Sequence, residues 1–300
     1  MRVIYVGNHG SGHGDDEGAI AHALAVLGHE IHLVAERHGK QCLRLPGQLL
    51  LFHKWFDPHT LAALENRRHD LRRVFWWFDL VDHPDPTLRA RCQARARWMR
   101  DVTPRVDLGF LSDGDWQARD RTGRLVWLTQ GADERVAGFG EPPRGGPEHP
   151  ILFAGIRHGG QGRQSFVDEM KERYGDRFRH VERGVYRRDL ANLIAASQIV
   201  VAPDAPVTDL YWSCRAYTML GSGAFLLHPY CRRLTGHYEH GKEIVYYRSR
   251  EELHEQIAYY LERPALRREI AEAGLARTLR EHLYRHRVEQ LLQVVKERLP

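Results

Sequence analysis

Residues 197–230, SQIVVAPDAPVTDLYWSCRAYTMLGSGAFLLHPY, decide the fold class of this chain. Residues 199–202 form an apolar run rich in β-branched side chains that ends at Pro203-Asp204, which predicts a buried parallel strand followed by a loop. Residues 224–229 have the same character, and residues 211–220 between them are compatible with a helix. The stretch therefore predicts a βαβ unit with polar and glycine residues at element ends, where open α/β sheets bind ligands.

The same alternation of apolar runs and helical segments extends over the whole chain. It predicts further strands at 2–7, 30–34, 49–53, 74–78, 108–111, 151–155, 178–181 and 243–246, and helices at 17–27, 87–99, 188–196, 251–261, 265–283 and 284–299. The loop at 8–16 is rich in glycine, although it lacks a strict GxGxxG motif. The predicted fold class is α/β, with two Rossmann-like, doubly wound domains.

The domain boundary is predicted at residues 138–150, GFGEPPRGGPEHP, which are dense in Gly and Pro and poor in apolar side chains. We therefore expect an N-terminal domain over 1–140, a linker over 141–150, a second domain over 151–283 and a final helix over 284–300. The 300 residues and the 42% hydrophobic content are enough for two cores.

The composition indicates in which compartment the protein works and which classes of partner its charge would suit. The four cysteines are far apart, and the start MRVIYVG lacks a charged-then-apolar leader, so we expect a cytoplasmic protein. No apolar run approaches the roughly 18 residues that span a bilayer. The net charge of +5 is mild and fits an anionic donor, a polyanionic acceptor or solvated helix faces equally.

The C-terminal third resembles glycosyltransferases of the GT-B type, and most closely their CgeB-like (spore-maturation) branch. The resemblance lies in an ordered series: Arg215-x-Tyr217-x-x-Leu220-Gly221-x-Gly223-x-Phe225-Leu226-Leu227, Leu234, Gly241-Lys242-Glu243-Ile244-Val245-Tyr246-Tyr247, Ile257-x-Tyr259-Tyr260-Leu261, Arg267, Gly274 and Tyr284-x-His286-Arg287. It implies two domains facing a central cleft, a last helix that crosses back to the first domain, and a nucleotide-sugar donor, with UDP-sugar expected, on the second domain.

The donor site needs cations for the diphosphate and glycines that let the backbone approach it. The end of the predicted strand at 151–155 and the segment before the next helix supply such groups in Gly155, Arg157 and Arg163. Surface ion pairs would also explain the two arginines. By the resemblance, Arg215 lies in the donor site, with Ser222 and Gly223 beyond it. The remaining donor-side candidates, partly by the same analogy, are Val185 and Tyr186 near the base and Asp204 and Asp209 near the donor hydroxyls.

One position departs from the family pattern. The residue three places after the donor-site arginine is usually a glutamate that bonds the ribose, and here it is Thr218. A hydroxyl cannot clamp a ribose diol as a carboxylate does. The departure leaves open a catalytically inactive nucleotide- or sugar-binding protein of the same fold.

The acceptor side is predicted at the strand ends of the first domain. If transfer inverts the sugar, a base must take the acceptor's proton, and the candidates are His13, Asp15, Asp16, Asp79, Asp113 and Asp115, of which we favour Asp79 and His13. Retaining transfer needs no dedicated base. The aromatic run that contains Trp76 and Trp77 fits core packing or an acceptor platform.

The predicted function is transfer of a sugar from a nucleoside diphosphate to an unidentified hydroxyl of a small molecule, glycan or protein. The aromatic run and the arginines around it allow one specific alternative, transfer to a hydroxymethylated base flipped out of DNA. We expect no bound metal, because the histidines are scattered, and neither GxSxG nor GxxxxGK[ST] occurs. A dinucleotide-dependent Rossmann enzyme is a third class, which the imperfect first glycine loop disfavours.

Overall fold

The computed structural model describes residues 1–9, 16–82, 89–141, 143, 146–156, 161–182, 184–203 and 208–299, with the side chains of Arg89, Arg91 and Gln161 excepted. These residues form two compact units. The first is Met1–Gln130 together with Tyr284–Pro300, and the second is Gly131–Leu283. Each unit is an α/β unit around its own parallel sheet.

The strands of the first unit are β1 Arg2–Gly7, β2 Glu30–Ala35, β3 Leu49–Phe52, β4 Arg72–Trp77, β5 Leu108–Leu111 and β6 Leu125–Trp127. Those of the second are β7 His149–Ala154, β8 Phe178–Val181, β9 Ser197–Val201, β10 Leu226–Pro229 and β11 Val245–Tyr247. The helices are α1 Asp16–Val26, α2 Pro58–Arg67, α3 Arg89–Val102, α4 Gly114–Gln117, α5 Gln161–Tyr174, α6 Arg187–Ala195, α7 Arg215–Gly221, α8 Arg250–Leu261, α9 Pro264–Glu281 and α10 Tyr284–Arg298.

The five-stranded second sheet has the same strand order as the first five strands of the six-stranded first sheet. Over the described residues, the first sheet runs β2-β1-β3-β4-β5-β6 and the second runs β8-β7-β9-β10-β11. Neighbouring strands are parallel in both sheets. The chain therefore reverses its direction of winding between β1 and β3, and again between β7 and β9. The predicted class, two Rossmann-like parallel-sheet domains, is confirmed.

The cores follow from the burial of both sheet faces. In the first unit, Trp76 packs on one face of β4 with the side chains of α1 and α10, and Trp77 packs on the other face with those of α3. In the second unit, Phe153 and Ile199 belong to one buried cluster with Phe166 of α5. Each fully buried side chain of this size stabilises the fold by about 1.5–3 kcal/mol, before entropy is subtracted.

The two units divide at different residues from the predicted linker. The N–H of Ala132 donates to the carbonyl of His282 at 2.8 Å, and the N–H of Gly138 donates to that of Gly221 at 2.8 Å, so the chain has joined the second unit before the Gly- and Pro-rich stretch. The last helix belongs to the first unit. The hydroxyl of Tyr284 donates to Asp16 Oδ1 at 2.6 Å.

Three elements differ from the expected ones for local reasons. The predicted helices leave a gap between residues 27 and 87, but α2 forms there because the side chain of Asp57 caps it, accepting from the N–H groups of His59 and Thr60, with Pro58 in the first turn. β6 is only three residues long and escapes a periodicity search. The helix expected over 211–220 starts at Arg215, because Tyr211 forms an isolated bridge with Thr208.

Candidate functional site

The candidate donor site lies in the second unit, at the carboxyl edge of its sheet where the winding reverses. Gly155 follows β7, and Arg215 is the first residue of α7. A Cβ atom added at Gly155 would lie 3.0 Å from the ring of Phe153 and 3.1 Å from Nη2 of Arg215. Glycine at this position therefore lets the guanidinium approach the end of β7, which is where open α/β sheets bind ligands.

Aromatic packing holds this end of β7 in place. The rings of Phe153 and His180 stack with centroids 5.1 Å apart and an interplanar angle of 8°. His180 Nε2 lies 2.9 Å from the carbonyl oxygen of Gly155 and must donate to it, because a carbonyl only accepts. Cζ of Arg215 lies 5.9 Å from the centroid of Phe153, within cation–π distance. The arginine thus sits against a fixed aromatic wall.

Arg163 connects the two strand ends at the reversal point. Its side chain is buried, with Nε donating to the carbonyl of Pro203 at 3.3 Å and Nη1 donating to that of Ile156 at 3.2 Å. Pro203 follows β9 and Ile156 follows β7, so the guanidinium ties together the exits of adjacent strands. This geometry makes Arg163 a positioning residue for the edge.

The N-terminus of α5 supplies a second feature suited to an anion. This helix begins at Gln161, close after β7, and runs for 14 residues. Its first N–H groups and its dipole favour negative charge at this end. Arg250 fixes the first turn from the side, because Nη2 donates to the carbonyl of Gly162 at 2.9 Å. Arg157 and Asp204, which were predicted for this edge, lie outside the described residues.

Thr218 lies one helical turn after Arg215 and is half-buried. Its hydroxyl donates to the carbonyl of Cys214 at 3.2 Å, within the helix. The oxygen atom can still accept a hydrogen bond from a sugar hydroxyl, but it brings no negative charge. Thr218 thus leaves this position without the negative charge of the carboxylate in the family pattern.

Ser222 and Gly223 require a correction. Arg215 begins α7 at the carboxyl edge, and the helix then runs back toward the start of β10 at the amino edge. Seven helical residues separate the two ends by about 10 Å. Ser222 Oγ donates to the carbonyl of Thr218 at 2.8 Å, and Gly223, at φ +81°, ends the helix in the left-handed conformation. Both residues therefore terminate α7, and we leave them out of the donor site.

Val185 and Tyr186 lie at the exit of β8, the strand next to β7. Gly184 precedes them at φ +87° and Arg187 follows at φ +50°, the latter a conformation that a non-glycine residue seldom adopts. Tyr186 is the extended residue before α6 and is half-buried. The two residues predicted to contact the nucleobase thus lie at the carboxyl edge of the second sheet. Residues with positive φ stand on both sides of them in the chain.

The carboxyl edge of the first sheet carries a histidine that the sequence analysis did not single out. His53 follows β3, beside the reversal point between β1 and β3, and is 5% exposed. Its Nδ1 donates to the carbonyl of Trp76 at 2.6 Å, and its ring lies 4.2 Å from that of Phe78. Burial lowers the pKa of His53, so the ring is neutral at pH 7 with its lone pair on Nε2. Its position at the end of the predicted strand 49–53 was the sequence feature that could have identified it as a candidate site residue.

Asp79, the favoured base, is held in an ion-pair cluster. Its Oδ2 lies 3.1 Å from Nζ of Lys54 and 3.2 Å from Nη2 of Arg95. Burial raises the pKa of this carboxyl, but the two cations outweigh that effect and the pKa is lowered overall. A carboxylate with a lowered pKa is ionised and weakly basic, which suits orientation and charge better than proton removal.

Asp113 is fully buried and serves the backbone. One carboxylate oxygen accepts from the N–H of Trp116 at 2.9 Å, capping α4, and the other accepts from the N–H of Val81 at 2.8 Å. Burial is the main reason why the pKa of Asp113 is raised. Asp115 lies in the first turn of α4 and its charge raises the pKa of Asp113 further. Asp113 thus connects the segment after β4 to the start of α4, and its carboxylate is committed to backbone N–H groups.

The acceptor-platform interpretation of the two tryptophans is corrected. Trp76 is 1% exposed and its indole N–H donates to the carbonyl of Leu128 at 3.3 Å. Trp77 is 5% exposed and its ring lies 4.5 Å from that of Trp98. A stacking platform needs an exposed ring face, and neither indole offers one, so both residues pack in the core.

The arginines near this run are mostly engaged inside the protein. Arg73 makes a bidentate pair with Asp107, with Nη2 at 2.8 Å from Oδ1, and Arg72 Nε donates to the carbonyl of Leu299 at 3.0 Å. The two arginines are the first two residues of β4 and lie at the amino edge of the sheet. This arrangement gives no support to a DNA groove built from these side chains.

Other predicted groups are outside the description or have no counterpart in it. His13 and Asp15 lie outside the described residues. Among the residues that are described, no group of three or more His, Cys, Asp or Glu side chains could hold a metal ion. No helix in this part of the chain combines the length and the apolar character needed to cross a bilayer.

The comparisons with known proteins agree with this architecture. Residues 157–293 match a family model described as glycosyl transferase-like. A search of curated protein sequences gave no match. Among solved structures, sucrose-phosphate synthase from Thermosynechococcus elongatus is similar with a TM-score of 0.70 and 12% identity, covering 99% of each chain.

HepE from Anabaena, solved in complex with UDP-glucose, is similar with a TM-score of 0.68 and 12% identity, over 99% of this chain and 100% of that one. The N-terminal domain of Candida albicans trehalose-6-phosphate phosphatase has a TM-score of 0.72 and 8% identity, over 100% and 97%. The chain therefore has the fold of GT-B glycosyltransferases, two Rossmann-like parallel-sheet domains. The family model covers 137 of the 300 residues, all of them from residue 157 onward.

Proposed function

We propose that this protein is a glycosyltransferase that moves a sugar from a nucleoside diphosphate, UDP in the simplest case, to a hydroxyl acceptor. The observation that carries the proposal is the guanidinium of Arg215, held beside Gly155 and Phe153 at the carboxyl edge of the second sheet. The N-terminus of α5 begins at the same edge. A similar protein, HepE, was solved with UDP-glucose bound, which supports UDP as the first nucleotide to test.

In the proposed reaction, the bond between the sugar and the diphosphate breaks and a bond from the sugar to the acceptor oxygen forms. The leaving diphosphate takes the bonding electrons, and its growing negative charge is stabilised by Arg215 and by the N–H groups of α5. Removing one such donor commonly costs a factor of about 10²–10³ in rate. No step in this scheme requires a divalent cation.

On the acceptor side we assign His53 as the base of an inverting transfer. Its neutral ring carries the lone pair on Nε2, because Nδ1–H is committed to the carbonyl of Trp76. The acceptor hydroxyl loses its proton to Nε2 as its oxygen attacks the sugar. Asp79 stays ionised between Lys54 and Arg95 and adds negative charge near the ring, which favours the imidazolium that forms.

The decisive experiment compares UDP binding and UDP release in Arg215 variants. At a UDP concentration about 100 times Kd, binding adds about 2.7 kcal/mol of stability, which a thermal-shift assay detects readily. We expect Arg215→Ala to lose this shift and the release of UDP from UDP-glucose, and Arg215→Lys to keep part of both, because lysine retains the charge but not the bidentate geometry. Arg263→Ala is the matched control, since Arg263 is exposed in the turn between α8 and α9.

The outcomes separate the candidate functions. A full UDP shift in Arg215→Ala would contradict the placement of the donor. Binding of UDP-glucose by the unaltered protein without release of UDP, over a range of acceptor hydroxyls, would support the inactive binding protein that Thr218 suggests. The CgeB-like branch and the cytoplasmic location remain predictions of the sequence. Transfer to hydroxymethylated DNA is not favoured, because Arg73 is committed to Asp107 and Arg95 to Asp79.

A further inference from the structure

A cavity lies in the second unit, at the amino edge of its sheet and therefore at the opposite edge from Gly155 and Arg215. Its volume is about 670 Å³, within the range of small-molecule sites. The wall is formed by the last residues of α6 and α8, the first turns of α9, the start of β9, the residues between α7 and β10, and three residues that precede β7. No residue that we place in the donor site lines it.

Much of the wall is apolar. Phe225, Leu261 and Leu275 line the cavity, together with smaller apolar side chains such as Ala271 and Pro147. Ligand sites in proteins are mostly apolar, with a few polar groups that fix orientation. The apolar wall therefore suits the hydrocarbon or aromatic body of a small molecule. The polar groups of the wall then determine which head group the ligand carries.

The distinctive polar group is Arg267, in the first turns of α9, which is 8% exposed. Its Nη1 donates to the carbonyls of Tyr260 and Leu261, and its Nη2 donates to Oε1 of Gln198 at 3.3 Å. All three acceptors are neutral, and among the described residues no carboxylate lies within ion-pair distance of this guanidinium. Burial lowers the pKa of Arg267, which reflects the cost of holding the charge there.

The guanidinium has hydrogen-bonding capacity left over. Its Nε–H and the second N–H of Nη2 have no acceptor among the residues that the structure describes, and these two groups form the side of a guanidinium that pairs bidentately with a carboxylate. Gln198 also lines the cavity and carries an amide NH₂. Arg268 and Glu272 are exposed and complete the polar part of the wall, whose net charge is positive.

We propose that this cavity binds a small organic acid, with its apolar body against Phe225 and Leu275 and its carboxylate on Nε and Nη2 of Arg267. The site is separate from the proposed donor site and does not depend on it. A buried cation without an anionic partner is costly, and a ligand carboxylate would supply that partner. The exposed Glu272 at the wall disfavours acids with several negative charges, so a monocarboxylate fits best.

The test uses three probes with similar straight hydrocarbon chains and different head groups: octanoate, octanol and octyltrimethylammonium. We expect octanoate to bind with one-to-one stoichiometry in equilibrium dialysis and to raise the melting temperature of the full chain. Octanol should bind at least about tenfold more weakly, which corresponds to 1.4 kcal/mol, and the cationic probe should not bind. Equal binding of the anion and the cation, or no saturable binding of octanoate, would overturn the proposal.

Two variants locate the site. Arg267→Gln removes the charge, and Leu275→Trp fills the cavity while leaving the charge in place; each should weaken octanoate binding at least about tenfold. Leu33→Trp, at an exposed position of β2, is the control for the added indole and should bind octanoate normally. The UDP-dependent shift should persist in all three. If Leu275→Trp binds octanoate as well as the unaltered protein, the cavity is not the site, even if Arg267→Gln fails to fold.

Discussion

The two sheets of this protein share the order of five strands but differ at their carboxyl edges. The edge of the second sheet presents a glycine, a guanidinium and the start of a 14-residue helix, through Gly155, Arg215 and α5. The edge of the first sheet presents a neutral imidazole and a paired carboxylate, through His53 and Asp79. One topology therefore carries two different sets of groups, a guanidinium beside a helix N-terminus at one edge and a neutral imidazole near an ion-paired carboxylate at the other.

The comparison shows that the topology determines which side chains lie at the strand ends, and that the local surroundings determine the charge state of those side chains. At the second edge, the absence of a Cβ atom at Gly155 lets a charged group approach the end of a buried strand. At the first edge, burial lowers the pKa of His53 and keeps it neutral, while two cations keep Asp79 ionised. His53 follows β3, whereas Gly155 follows β7, the counterpart of β1, so the two edges place groups with opposite electrostatic preferences after different strands of one topology.

The largest expected effect comes from removing the base at the first edge. His53→Gln can keep the hydrogen bond to the carbonyl of Trp76 but cannot take a proton, so we expect the transfer rate to fall by about 10²–10⁴-fold while the UDP-dependent thermal shift is unchanged. The acid limb of the pH–rate profile, below pH 6.5 in the unaltered protein because the pKa of His53 is lowered from that value, should disappear. His69→Gln, at an exposed position, is the control.

A normal transfer rate in His53→Gln would contradict the proposal that the first sheet supplies the base and the second sheet binds the donor. The proton would then pass to another group, of which Asp79 and His13 are the sequence-based candidates, or transfer would retain configuration without a base. A loss of the UDP shift along with the rate would instead mean that the substitution disturbs the whole protein, which circular dichroism and the melting temperature would reveal.

An intermediate effect is expected from the glycine at the second edge. In Gly155→Ala, the new Cβ atom meets Phe153 and Nη2 of Arg215 at about 3 Å, so the guanidinium must shift by a few tenths of an ångström. We expect UDP to bind about tenfold more weakly, a loss of 1.4 kcal/mol, measured by titration calorimetry. Gly236→Ala is the control, because a Cβ atom there meets no other atom within 4 Å. Unchanged UDP affinity would remove Gly155 from the donor site.

The smallest effect is the pH dependence of stability at Asp79. Its folded pKa is lowered below the unfolded value of 3.8, so its ion pairs stabilise the fold above that pH, and the contribution is lost as the pH falls through the folded pKa. Urea unfolding of Asp79→Asn and the unaltered protein should therefore differ at pH 6 and converge below pH 3.8. A difference that stays constant with pH would show that Asp79 acts through packing rather than through its charge.

Much of the fold follows from local patterns in the sequence. The apolar run at residues 108–111 coincides with β5 as the structure has it, because a strand buried on both faces needs a continuous apolar run. The short strand β6 was missed because three residues carry no detectable period. The direction of α7 could have been derived from the predicted βαβ unit, and it would have placed Ser222 and Gly223 at the opposite edge from Arg215.

The candidate site was only partly accessible to the same reasoning. Arg215 was identified by resemblance, and the structure then supplied its neighbours, Gly155 and Phe153. Trp76 and Trp77 could not be assigned from sequence, because an aromatic pair on a strand looks the same whether helices cover both faces or leave one open. His53 was overlooked because the charge state of a histidine depends on its burial, which no spacing reveals.

The sequence by itself determined the α/β class, the parallel strands and the residues available at their ends, because these depend on the composition and period of short segments. Only the tertiary structure decided which of those residues act together. It committed Asp113 to backbone N–H groups, enclosed the tryptophans, kept His53 neutral and brought Arg215 to Gly155. Such roles arise from hydrogen bonds, desolvation and close packing between residues far apart in the chain, and these exist only once the chain has folded.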